Sequence, residues 1–282
     1  MKNIKLRGFT LPEVLLAVVI LGVVSALTIP MLVDNYRKYS IPIQTHKFFN
    51  DMNYAVEMYK KDNHTSKINI KCITNMTNSS HCAYSDSTNA DNSRSAGYNQ
   101  IVEWWSSNIG KYIKNASEPQ QYTKKAGYYD CSWVDEESGE RMYKTCHSDG
   151  GKDHTMSVKL KDGTCFRAWI VANDTIHVIY YTNTKYCGSG MIGGRHAYDG
   201  KDGFLFTIDT YQGETKFITS HRTLIHSLNR AQLKDMCEKC NYDISAFSFE
   251  GKCHACARLI EVDGWKMAKD YPWNKKLVGR ND

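Results

Sequence analysis

Four cysteines near the C-terminus have the spacing most suggestive of chemistry: Cys237 and Cys240, twelve intervening residues, then Cys253 and Cys256. Two CxxC pairs so arranged can set four thiolates tetrahedrally around zinc, or can be joined as disulfides. His254 falls inside the second pair and is read as a bystander. Six more cysteines, Cys72, Cys82, Cys131, Cys146, Cys165 and Cys187, bring the total to ten. An even set that begins only after an apolar N-terminal segment suits an exported, oxidised domain, in which all ten are disulfide candidates. On that ground disulfides are favoured over zinc at the C-terminal four. A bridge inside one CxxC closes a very short loop, whereas a bridge crossing between the pairs closes about 15 residues and gains about 3 kcal/mol of chain entropy, so crossing bridges are expected. The intervening NYDISAFSFEGK has the pattern of a short strand or hairpin able to bring the pairs together.

Weaker patterns lie upstream. Gly188, Gly190 and Gly193 spell GxGxxG, but GRHAYDGKDGF follows where a phosphate site needs a helix, so a plain loop is expected. Asp199 and Asp202 in a glycine-rich stretch could suit calcium, although a solvated turn is the favoured reading. No metal or cofactor is therefore assigned. The sequence holds no P-loop, HExxH, nucleophile elbow or paired-carboxylate signature, and a non-enzymatic role is expected.

These groups must be positioned by the elements around them, and the first of these is apolar. From Val14 to Val33 the chain is uncharged, and thirteen of the twenty residues are Val, Leu or Ile. Twenty helical residues span about 30 Å, the thickness of a bilayer core. Lys2, Lys5 and Arg7 precede the run and, by the positive-inside tendency, hold the N-terminus in the cytoplasm and send the rest across. Glu13 stands where the run begins, a carboxylate that a simple anchor does not need. On these residues alone an ordinary signal anchor, a cleaved signal peptide and a more specialised segment all remain open, with Val24-Ser25-Ala26 a poor conventional cleavage site.

Residues 7–31, RGFTLPEVLLAVVILGVVSALTIPM, resemble the prepilin signal of type IV pilins and type II secretion pseudopilins. Gly8 matches the glycine before the prepilin-peptidase cut, Phe9 the residue that becomes the N-methylated terminus, and Thr10, Leu11 and Glu13 complete the FTLxE pattern. Gly22 and Pro30 also fall at positions usual in that helix. Pro12 departs from the common Ile or Val but suits a first helical turn, where its missing N–H has no partner to lose. The resemblance implies that Glu13 pairs with the freed Phe9 amine of a neighbouring subunit and sets axial register during assembly. Pro30 is expected to kink or locally melt the helix near Thr28 to Pro30.

In the exported part, Phe48, Met52, Ala55, Val56 and Tyr59 recur at helical spacing. They indicate an amphipathic helix from about 44 to 61, continuous with the anchor or bent at Pro42. Residues 62–100 are rich in Asn, Ser and Thr and are expected to lack the apolar surface to order themselves, with a Cys72–Cys82 bridge as a tie. Ile101, Trp104, Trp105, Ile109 and Ile113 again have helical spacing and are expected in the core. Then MSVKL, CFRAWIVA, TIHVIYYT, FLFTID and TKFITS read as short strands of an antiparallel meander. Trp265, Tyr271 and Trp273 are expected to cap the core.

The expected architecture is α+β and pilin-like: a long N-terminal hydrophobic helix packed on an antiparallel β-sheet, with a cysteine-rich C-terminal extension. The expected divisions are a leader, 1–8, a transmembrane and assembly helix, 9–61, and an exported domain with disulfide-rich loops, 62–282. Removal of Lys2, Lys5 and Arg7 with the leader lowers the formal charge from +6 to +3, too mild to imply nucleic acid. The resemblance implies a single-pass protein of the bacterial inner membrane with its C-terminal domain exported. Its implied partners are prepilin peptidase, other pilin or pseudopilin subunits, the inner-membrane assembly platform and the membrane itself. A minor pilin or minor pseudopilin is favoured because the chain is long for a major pilin. The alternative is an exported binding module, an adhesin, DNA-uptake subunit or zinc-binding domain, carried on a pilin-type signal.

Overall fold

The computed structural model describes residues 10–71, 90–125, 127–134, 141–148, 151–187, 191–192, 200–220, 225–238 and 255–273. The chain forms two compact units, Met1–Ser40 and Ile41–Asp282.

Helix α1, Leu11–Asp62, is a single helix of 52 residues. Glu13 closes its first turn: one carboxylate oxygen accepts from the backbone N–H and the hydroxyl of Thr10, at 2.7 and 2.8 Å, the backbone bond being the reciprocal half of a capping box. Helical backbone continues through Thr28 to Pro30 and through Pro42, so the local melting expected at Pro30 is absent. Each proline removes only one ladder bond. Thr28 and Thr45 turn their hydroxyls back onto the carbonyls of Val24 and Ile41, and Pro42 is itself buried, offsetting the lost bond by packing.

The compact unit begins at Ile41, so the last 22 residues of α1 belong to it. Ile41, Thr45, Phe48, Met52, Ala55 and Val56 are buried at i+3 and i+4 spacing along one face. Phe48 stacks on Tyr180 at 4.4 Å between ring centroids and touches Phe166, Phe206 and Phe217.

Those rings stand on a sheet of seven strands. They are β1 (Gln120–Lys125), β4 (Gly151–Lys159), β5 (Cys165–Ala172), β6 (Thr175–Tyr181), β7 (Met191–Ile192), β8 (Gly203–Tyr211) and β9 (Glu214–Thr219). Their order is β7-β1-β4-β5-β6-β8-β9, antiparallel throughout except for β7, which joins β1 in parallel. The expected antiparallel meander is β4-β5-β6-β8-β9. Strand alternation sends Phe166, Ala168, Ile170, Val178, Tyr180, Phe204 and Phe206 toward the helices, and Cys165, Ile179, Tyr181 and Leu205 into a smaller cluster on the other face. The β8–β9 hairpin closes on Gln212 and Gly213, both at positive φ, as a two-residue primed turn requires. A separate ribbon pairs β2 (Gly127–Val134) with β3 (Arg141–Ser148).

Helix α2, Ala90–Ser107, lies over β4 and β5 and buries Ile101, Trp104 and Trp105; Ile109, just past its end, is buried with them. Part of the stretch expected to be unordered is therefore structured. Residues 65–71 lie outside any helix or strand yet bury Ile68 and Ile70 fully, and 90–100 are helical. Composition underrated this segment because two isoleucines and a few backbone bonds, such as Asp174 N–H to the Ile70 carbonyl, anchor it to the completed sheet. Helices α3 (Arg230–Glu238) and α4 (Ala255–Val262) complete the same core through Leu233, Leu259 and Ile260.

Candidate functional site

The N-terminal part of α1 combines an apolar surface with one charge. Every residue from Leu11 to Val24 is exposed, Leu11 at 75% and Leu27 beyond at 72%. This is a helix long and apolar enough to cross a membrane, and none of its most apolar window is buried within the protein. Apolar residues occupy all sides rather than one stripe, the pattern of a helix surrounded by lipid or by other helices. Glu13 is held by Thr10 at the start of that surface. Gly22 meets nothing within 4 Å, leaving a smooth place on the helix for a neighbour. Gly8 and Phe9 lie outside the described residues.

The cysteines form a second locus. Cys237 at the end of α3 and Cys256 at the start of α4 are joined in a disulfide with Cα atoms 4.9 Å apart, linking one CxxC pair to the other. The bridge consumes two of the four sulfurs that a tetrahedral zinc site would need. Cys240 and Cys253, and the NYDISAFSFEGK stretch expected to form a hairpin, lie outside the described residues. A second bridge, Cys165–Cys187, ties β5 to the turn after β6. Cys131 sits opposite Lys144 and Cys146 opposite Tyr129 in the β2–β3 ribbon, while Cys72 and Cys82 lie outside the described residues.

Sequence reasoning missed what the Cys237–Cys256 bridge rests on. Gly200 has φ +76°, and a Cβ there would sit 2.7 Å from both Cβ and Sγ of Cys256. The Tyr271 hydroxyl donates to the Gly200 carbonyl at 2.7 Å and lies 3.9 Å from Cys237 Sγ. Tyr271 and Trp273 are buried as core caps and Trp265 packs against the core, stacked on His46 at 4.7 Å. Arg230 fastens the same region. Its guanidinium grips Asp263 through two nitrogens and reaches both oxygens of Asp270, at 3.1 and 2.8 Å, holding the Asp270 carboxyl well below the usual range. A CxxC spacing cannot announce a distant glycine, so this cluster had no local signal.

A third locus is a cleft of about 250 Å³ between α1, the turn at residues 112–115 and the β4–β5 turn. Lys47 donates to Asp162 across its mouth at 2.8 Å. Burial raises the Asp162 pKa, but the bonds from Lys47 and Thr164 outweigh it and hold the carboxyl below its ordinary value.

Of the other expected sites, Gly188, Gly190, Gly193 and Asp199 lie outside the described residues. Asp202 is buried, and its carbonyl accepts from Thr182 N–H. Among the described residues no group of three His, Cys, Asp or Glu is arranged to hold a metal.

The exposed apolar helix and its capped glutamate define a class. Residues 5–29 match the prokaryotic N-terminal methylation motif, which supports a prepilin-like protein of the type IV pilin class and implies processing by prepilin peptidase and assembly with other pilin-type subunits. The chain belongs to a family of unknown function (DUF6613), matched over residues 31–275. No curated protein and no solved structure matches it.

Proposed function

We infer that this protein is a minor pilin or minor pseudopilin, a structural subunit and not an enzyme. Prepilin peptidase cuts between Gly8 and Phe9 and methylates Phe9. The segment 14–33 holds the subunit in the inner membrane, with the unit from Ile41 onward exported, until it is drawn into a type IV pilus or type II secretion filament. Glu13 then pairs with the Phe9 amine of a neighbour, which adds an opposite charge to a carboxylate that Thr10 already holds by hydrogen bonds. The observation that carries this reading is the methylation motif over residues 5–29 falling on a helix whose apolar surface the protein leaves uncovered.

Mass spectrometry of the mature N-terminus tests it in a host that supplies the peptidase. A terminus at methylated Phe9 is expected. An intact Met1, or a terminus near Leu27, overturns it.

A further inference from the structure

The cleft beside Lys47 has the make-up of a ligand site rather than a packing defect. Its floor is apolar, with Phe48 and Met52 from α1 facing Ile113 and Leu160. Its rim is polar and aromatic: Tyr54 is 59% exposed, and Tyr112 is fixed by donating its hydroxyl to Asp62 at 2.6 Å. Lys47 and Lys114 balance Asp51 and Asp162, so the lining has no net charge to favour a phosphate or a free cation. The volume of about 250 Å³ falls just below the ~300 Å³ at which sites for drug-sized ligands begin, so the cleft takes one ring of a larger molecule.

We propose that this cleft binds a neutral N-acetylated sugar residue of a glycan. A sugar ring offers a C–H face to an aromatic wall such as Tyr54 and vicinal hydroxyls to carboxylate and amine at the rim. The acetamido group supplies what this side needs, a methyl for the partly open surface of Ile113 and Leu160 above the buried Phe48 and Met52, with its N–H and C=O left for the Asp162–Lys47 pair. The site lies wholly within the unit that begins at Ile41 and does not depend on filament assembly.

The test uses the full chain in lauryldimethylamine oxide micelles, a detergent without a sugar headgroup. Saturation-transfer NMR and calorimetry are run with tri-N-acetylchitotriose and with maltotriose. The acetylated sugar is expected to bind, and maltotriose to bind about tenfold more weakly, as for a lost apolar contact and a lost hydrogen bond. Tyr54→Ala and Asp51→Ala, both at exposed positions, each weaken binding by about tenfold, while Tyr211→Ala, an exposed tyrosine on the β8–β9 hairpin, changes nothing. No transfer to either sugar overturns the proposal, as does unchanged affinity in both cleft variants or an equal loss in Tyr211→Ala. Equal affinity for maltotriose overturns the acetamido assignment. A disulfide-linked dimer of Tyr54→Cys in filaments, with no sugar binding by the wild type, reassigns the cleft to a subunit contact.

Discussion

Replacing Cys237, Cys240, Cys253 and Cys256 together by alanine removes every crosslink between the two CxxC pairs without leaving a stray thiol. Cys237 and Cys256 are separated by 19 in sequence. A loop of that length carries a closure entropy of about 11 cal/mol/K in the unfolded chain, or about 3 kcal/mol at 25 °C. For a domain of this size each kcal/mol moves the midpoint by about 2–4 °C, so Tm should fall by about 6–12 °C. The measurement is thermal unfolding of the oxidised full chain in detergent, followed by near-ultraviolet circular dichroism and repeated with EDTA. A chelator should leave the wild type unchanged, and non-reducing peptide mapping should recover Cys237 linked to Cys256. A variant within about 2 °C of the wild type, or a wild type that loses zinc and stability to EDTA and exposes four alkylatable thiols, would refute the reasoning.

Glu13→Ala should leave membrane insertion intact yet reduce incorporation into sheared filaments; equal incorporation would exclude the pairing with the Phe9 amine. Gly110→Ala places a methyl against the indole of Trp105, 2.7 Å from Cδ1, and overpacking of this kind should cost about 1–3 kcal/mol in chemical denaturation, with an unchanged midpoint as the contrary result. Phe48→Ala deletes the ring that four sheet aromatics surround and should cost about 3–5 kcal/mol, read as loss of soluble folded protein on extraction. The Arg230 hydrogen bonds depress the folded pKa of Asp270, so their stabilisation is present above the unfolded carboxylate range near pH ~4 and is lost as pH falls below it. Arg230→Met should flatten that acid limb, and an identical pH dependence of Tm in the two proteins would count against it.

What the sequence announced was whatever is written in local periodicity. The stripe from Phe48 to Val56, the Trp104–Trp105 pair and the alternating runs from 156 to 219 each carry their burial in their spacing, and each is buried accordingly. Strands β1, β2 and β3 show little apolar alternation in their sequence, and β1 takes its place in the sheet by pairing with β4. Ile68 and Ile70 were hidden for a similar reason. Two apolar residues in an Asn-rich segment give no period, and they are buried only because the finished sheet provides a place for them. The Gly200–Cys256–Tyr271 contact and the cleft around Lys47 join residues up to 115 positions apart, a distance that no motif reports.

Helix α1 shows in one element why patterning and function diverge along this chain. Up to Val33 its apolar residues point to all sides, which a core does not require and which water would penalise, so that part of the sequence is written for surroundings that the protein itself does not provide. From Ile41 the same backbone carries a single buried face, with Lys47, Asn50 and Glu57 turned outward, and its period is dictated by the sheet. Pro42 stands at that change and is buried, so a residue that weakens a helix in water is placed where packing offsets the missing bond. Glu13 fits the same logic. Its carboxylate would be costly at the start of an apolar run, and the Thr10 cap satisfies one of its oxygens within the subunit while leaving the other available to a cation. The same residue therefore closes the first turn of the helix and keeps an oxygen for the neighbour's amine that the proposed assembly calls for.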